Sequence, residues 1–190
     1  RVLFRSDKAR KQASSNVTSL REAIVDKGIP VLATSSTCTF TLRDEYPHLL
    51  EVDNTGLREH IELATRFLWR KLDSGQTLPL GKLPLKVVYH TPCHMEKMGW
   101  SIYTLELLRL IPGLELTVLD SRCCGIAGTY GFKRENYPTS QAIGAPLFRQ
   151  IEESGADIVV TDCETCKWQI EMSTSKRCEH PITLLAKALA

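Results

Sequence analysis

The sequence predicts an α/β fold, a Rossmann-like parallel sheet with flanking helices, and three observations carry that reading. Short apolar, β-branched runs recur at Lys86–His90, Leu114–Leu119 and Ala156–Thr161. Helical stretches separate them, so the strands must run parallel through right-handed crossovers. Cysteines follow each run: Cys93 after the first, Cys123-Cys124-Gly125 after the second, Cys163-x-x-Cys166 after the third. Parallel strands would deliver all five sulfurs to one edge of the sheet, the edge at which open α/β folds bind ligands.

Each element has a local rationale. Asn54 to Asp73 reads as a helix, with Asn54 as its cap and Gly75 just past its end. Leu57, Ile61, Ala64, Leu68 and Leu72 share one face at spacings of four, three, four and four, the stripe that a surface helix buries. The rival reading of this helix is a membrane-surface or partner-docking face built on Phe67, Trp69, Arg66 and Arg70. After the strand Lys86–His90, a helix is expected from Met95 to Leu110, closed by Pro112-Gly113. Leu114–Leu119 is the next strand, followed by a stretch holding Gly125, Gly128 and Gly131. A helix then runs from Thr139 to Glu153, with Pro146 expected to kink it or begin a new turn. The strand Ala156–Thr161 leads to a helix from Cys163 through Met172. A last helix covers Pro181–Leu189, with Pro181 in its first turn.

The N-terminal part repeats half of this unit. Displaced by 128 positions, Phe4-Arg5 falls on Phe132-Lys133, Val31-Leu32 on Val159-Val160, Thr37-Cys38 on Thr165-Cys166, Phe40 on Trp168 and Leu42 on Ile170. Such self-similarity marks an internal repeat. Ser35 stands where the second unit has Cys163. The chain opens on Arg1 and reads as a piece of a longer polypeptide, divided into residues 1–50, a connecting stretch 51–85, and a complete unit 86–190.

Composition excludes several classes. The 190 residues are 43% hydrophobic and 24% charged, as in ordinary globular proteins. A net charge of +2 gives no electrostatic support for nucleic-acid binding. No run approaches the roughly 18 apolar residues of a spanning helix, and no secretory pattern opens the chain. No Ser-His-Asp order, phosphate loop or paired catalytic carboxylate stands out, so no catalytic residue is assigned.

The seven cysteines, an odd number without an export signal, do not suit a disulfide framework. The neighbours Cys123 and Cys124 sharpen the point: adjacent Cα atoms lie about 3.8 Å apart, whereas disulfides need about 4.4–6.8 Å. Thiolates select iron–sulfur clusters, zinc or copper(I). A structural zinc takes four ligands, and five thiols exceed that by one. The candidate ligand set is Cys93, Cys123, Cys124, Cys163 and Cys166, with glycines beside the vicinal pair allowing backbone N–H groups to approach sulfur. A helix starting at Cys163 would favour thiolate charge there. Alternatives remain: a redox pair at Cys163 and Cys166, or a zinc site that adds His90 and His94. Asp120, Asp162 and Glu164 read as caps and loop solvation. Cys178 lies outside the pattern, and Cys38 would need a partner unit to complete a site.

The pattern Cys93, Cys123-Cys-Gly125, Cys163-x-x-Cys166 resembles the CCG cysteine-rich domain family, which occurs in heterodisulfide reductases, glycolate oxidase iron–sulfur proteins and related quinone-linked enzymes. The segments from His90 to Trp100, Cys123 to Phe132, Thr161 to Trp168 and Ala33 to Phe40 look most like the electron-transfer subunits of bacterial anaerobic glycerol-3-phosphate dehydrogenases. The resemblance spans the chain. It implies a [4Fe–4S] cluster on the five named cysteines, with zinc as the alternative described for some members. It implies as partners a flavoprotein dehydrogenase subunit, a membrane-associated subunit and the quinone pool, at the cytoplasmic side of the bacterial inner membrane and without a spanning segment. It reads 86–190 as a complete CCG domain, 1–50 as the second half of a preceding one, and 51–85 as linking helix and linker. With a serine at position 35, the resemblance implies no second cluster there, and the piece as it stands can lack its cluster altogether.

Overall fold

A computed structural model of the chain describes residues 6–120 and 122–189. Its first unit holds helix α1 (Ser6–Arg21), continued by a π-helical turn, strand β1 (Val31–Ala33), helices α2 (Ser36–Phe40) and α3 (Tyr46–Leu50), strand β2 (Ile61–Leu63) and helix α4 (Ala64–Asp73). The second unit holds β3 (Lys86–Tyr89), α5 (Cys93–Met98), α6 (Ser101–Arg109), β4 (Glu115–Val118), α7 (Tyr137–Glu153), β5 (Ile158–Val160), α8 (Glu164–Ser173), β6 (Arg177–Glu179) and α9 (Pro181–Ala188). Every strand pairing is parallel: β1 with β2, and the four-stranded order β4-β3-β5-β6. The expected α/β class with parallel strands and flanking helices is the observed one.

Alternation along the strands splits the second unit into two cores. Val88 and Val159 face α7 and α8, packing on Leu147, Phe148, Ile151 and Ile170. Val87, Tyr89 and Val160 face the opposite side, with Leu107, Leu108, Leu184 and Leu185 of α6 and α9. Leu68, Trp69 and Leu72 of α4 extend that second core, so the units share apolar surface. The α1, β1, α2, β2, α4 succession parallels α7, β5, α8, β6, α9, and the 128-position offset carries Ser36, the first residue of α2, onto Glu164, the first of α8. The Phe4-Arg5 part of the repeat match lies outside the described residues.

Several expectations are corrected. Residues 54–63 do not form the expected α-helix: a 3₁₀ turn at Arg58–His60 leads into β2. Asn54 instead donates its amide to the carbonyls of Leu42 (2.7 Å) and Arg43 (3.1 Å), and Ile61–Leu63 pair with β1. The leucine stripe is buried as expected, but in two places: Leu57 and Ile61 in the first unit's core, Leu68 and Leu72 against the second. The rival docking face is not free, since Trp69 packs on Tyr103 and the buried Glu62 accepts from both Arg66 and Arg70. The helix expected over 95–110 breaks at Gly99, which is left-handed at φ 68°, while Trp100 is held between the guanidinium groups of Arg43 (4.7 Å) and Arg66 (4.5 Å). Helix α7 runs through Pro146 unbroken; Ala142, whose carbonyl loses its partner, is exposed and water can serve it. Strand β6 was not anticipated.

Gly144 sets the distance between α7 and the loop after β4. A Cβ there would stand 2.5 Å from the Cys124 carbonyl oxygen and overlap the Phe148 ring. Helix propensity alone would favour Gly144→Ala by about 1 kcal/mol. The overlap is expected to reverse that sign, with a net loss of about 2 kcal/mol in urea unfolding.

Candidate metal centre

The sheet positions the thiols. Cys93 opens α5 beyond the end of β3, Cys123 and Cys124 lie in the loop beyond β4, and Cys163 is the N-cap of α8 beyond β5. Register places Tyr89 opposite Val118 and Val160, so the three exits lie side by side. The five sulfurs meet there. Cys124 Sγ is 3.3 Å from Cys166 Sγ. Cys93 and Cys123, Cys123 and Cys124, and Cys163 and Cys166 are near enough for each to shift the other's ionisation. The sulfurs thus neighbour one another in the order Cys93, Cys123, Cys124, Cys166, Cys163. Cys93 and Cys123 are exposed, while Cys124, Cys163 and Cys166 are buried and belong to the core between the sheet and α7 and α8.

Charge is unevenly shared among these sulfurs. Hydrogen bonds from Cys124 and Cys93, and then the Gly125 N–H at 3.3 Å, hold the Cys123 thiol far below its ordinary value. A bond from Cys166 brings Cys163 down to about 5, with the Thr165 hydroxyl, the Cys166 N–H and the Thr37 hydroxyl assisting. Their donors move the opposite way: Cys93, Cys124 and Cys166 are all raised, each first by its hydrogen bond to a neighbouring sulfur. The thiolate form is thus favoured at Cys123 and Cys163 and disfavoured at the other three. Ionising all five would crowd negative charge into a half-buried space, which only a cationic centre can offset. The donor set is that of a thiolate-ligated metal centre.

The arrangement differs from a preformed single-ion site. Among the described residues, no three His, Cys, Asp or Glu side chains stand around a common point. Sulfurs around one tetrahedral zinc would be about 3.8 Å apart, given Zn–S near 2.3 Å, whereas Cys124 and Cys166 touch at 3.3 Å.

The glycine loop is clamped from behind. Gly125 has φ 87°, and a Cβ on it would overlap the Ser140 carbonyl. Ser140 Oγ donates to the Gly125 carbonyl (2.8 Å) and accepts from Gln169 Nε2 (2.9 Å). Beneath the centre, Asp162 is fully buried and accepts from Tyr89 OH at 2.6 Å, with Thr104 Oγ1 at 3.1 Å. Burial lifts its carboxyl to about 6. It is therefore a core acceptor between strands and not the helix cap read from the sequence. Asp120 bonds Gln150 through its own N–H, and Glu164 is exposed in the first turn of α8.

Of the two histidines weighed as ligands, His90 has both ring nitrogens engaged. Nε2 donates to the Arg122 carbonyl (3.2 Å), which fixes the tautomer and leaves Nδ1 to accept from Thr161 Oγ1 (3.1 Å). His94 Nδ1 lies 3.1 Å from Thr37 Oγ1, and its ring stacks on Phe40. Cys178 is buried in β6, and Cys38 is exposed on α2. Sequence reasoning missed the hydroxyls: Thr165 Oγ1 is 3.3 Å and Thr37 Oγ1 3.6 Å from Cys163 Sγ. The signal that could have found them was the repeat itself, which aligns these two threonines.

Parallel strands whose exits gather five thiols beside a Cys-Cys-Gly loop define a cysteine-rich domain, and comparison with known proteins agrees. Residues 87–171 match the CCG cysteine-rich domain. More particularly, the chain is 85% identical over 185 residues to the C subunit of the anaerobic glycerol-3-phosphate dehydrogenase of Escherichia coli K12, covering 97% of this chain and 47% of that protein. It is 32% identical over 166 residues to a lactate utilization protein of Geobacillus thermodenitrificans (80% of this chain, 66% of the relative). An uncharacterized iron–sulfur protein of Methanocaldococcus jannaschii is 33% identical over 96 residues (50% and 19%). The chain thus spans about half the length of its E. coli relative. No helix among the described residues is long and apolar enough to cross a membrane.

Burial holds His90 neutral, with its pKa lowered to about 4 from 6.5. A histidine depressed in the folded state contributes stability that is complete above pH 6.5 and is lost as pH falls toward 4. Across that window the parent chain is expected to lose about 3 kcal/mol more than His90→Gln in unfolding measurements, because the raised Asp162 carboxyl, which gains stability as pH falls, is common to both.

Proposed function

We propose that this chain is the cluster-binding part of an electron-transfer subunit of an anaerobic glycerol-3-phosphate dehydrogenase. In this reading Cys93, Cys123, Cys124, Cys163 and Cys166 hold a [4Fe–4S] cluster. Electrons arrive from a flavoprotein subunit and leave toward quinone, beside a membrane-associated subunit at the cytoplasmic face of the inner membrane. The observation that carries it is the gathering of the five thiols at three neighbouring strand exits, with Cys124 and Cys166 in contact. The likeness to the E. coli dehydrogenase protein supports the choice of complex; the relative described as an iron–sulfur protein supports the choice of metal.

A bound cluster would supply one-electron redox chemistry that no side chain offers. The chain's own residues do the rest. Three sulfurs anchor the site in the core, while the exposed Cys93 and Cys123 open it to a partner. The N–H of Gly125 reaches Cys123 Sγ, the kind of contact that tunes a cluster's potential. In the same reading, 86–190 is a complete CCG domain, 1–50 is the second half of a preceding repeat, and 51–85 connects them. The matching succession of elements supports the repeat.

The test is anaerobic reconstitution followed by iron and sulfide analysis with paramagnetic resonance. Iron and sulfide are expected in the parent chain and absent in Cys124→Ser, the middle of the five sulfurs, while Cys38→Ser and Cys178→Ser bind as the parent does. One zinc per chain with no paramagnetic signal would replace this reading with that of a docking module that assembles the complex without carrying electrons.

A further inference from the structure

We propose that Thr37, on α2 of the first unit, is a positioning residue for the second unit's sulfur site, donating a hydrogen bond to Cys163 Sγ while accepting one from His94. The proposal rests on the ligand reading above and deepens it.

Three contacts define the relay. His94 Nδ1 is 3.1 Å from Thr37 Oγ1, and Thr37 Oγ1 is 3.6 Å from Cys163 Sγ, within reach of a bond to sulfur. A hydroxyl has one proton and two lone pairs. Given to the sulfur, that proton leaves the oxygen to accept from the imidazole, which sets a single direction from His94 Nδ1–H through Thr37 O–H to Cys163. The parts are held in place. The Phe40 ring, one helical turn after Thr37, stacks on His94 at 4.8 Å and 18°. The Ser36 N–H donates to the Asp162 carbonyl at 2.9 Å, pinning the start of α2 beside Cys163.

The repeat supplies an independent observation. Thr165, the counterpart of Thr37 at 128 positions, touches the same sulfur from its own unit at 3.3 Å. Two equivalent threonines therefore flank one cysteine. In the first unit the equivalent of that cysteine is Ser35, which is buried. With a serine at that position, the first unit's threonine serves the neighbouring unit's cysteine. The sulfur site is thus built by both units.

The variants Thr37→Val and Thr37→Ser separate the hydroxyl from the side-chain volume. In reconstituted protein of equal iron content, hydrogen bonds to ligand sulfur raise a cluster's potential. Thr37→Val is expected to lower the midpoint in a resonance-monitored redox titration, and Thr37→Ser to keep it. Metal-free protein gives a second readout. Thr37→Val should lower the denaturation midpoint in the parent, and by several-fold less in a Cys163→Ala background, because the partner is already gone. Equal potentials for valine and threonine, or equal losses in both backgrounds, would overturn the proposal. A chain that takes up no iron while still showing the coupling would defeat the ligand reading and leave the relay standing.

Discussion

The site depends on one constraint, the parallel ladder in which β3 lies hydrogen-bonded between β4 and β5. Parallel strands have no short hairpin to reverse them, so each exit emerges at the same end. With Tyr89, Val118 and Val160 in register, three loops far apart in sequence open within a few ångströms of one another. An antiparallel neighbour would send one of the cysteine groups to the opposite edge. Much of what surrounds the sulfurs serves this arrangement: Asp162 ties the exits of β3 and β5 through Tyr89, and Gly144 lets α7 press the Cys-Cys-Gly loop into place.

Within that frame the sulfurs divide the work. Negative charge is favoured at Cys123 and Cys163 and disfavoured at their sulfur neighbours. Backbone N–H groups and hydroxyls stabilise that charge. The first unit is no passive neighbour. Its α2 packs Thr37 and Phe40 over the edge, and its α4 closes the second unit's core from the other side.

Legibility of the fold and site in the sequence followed from how much local pattern each element carried. Strands β3, β4 and β5 announced themselves because they are β-branched and apolar. Strand β6 did not: of its three residues only Cys178 is buried, between the charged Arg177 and Glu179. Residues 54–63 imitated a helix because two separate cores happen to draw on leucines at helical spacing, and an amide bond from Asn54 to another segment decided otherwise. The meeting of the five thiols was legible from their place after each strand. The buried acceptor role of Asp162 and the relay through Thr37 were not, since both depend on contacts across 57 to 126 positions of chain.

Three of the sulfurs, Cys124, Cys163 and Cys166, are at once part of the close-packed interior and part of the site. Oxygenation of any of them would put a bulky polar group where the packing has room for none. Chemical injury to the site and loosening of the domain are then a single event. Loss of compactness of this kind is what exposes a chain to proteolysis, so the state of these three sulfurs and the persistence of the fold are coupled.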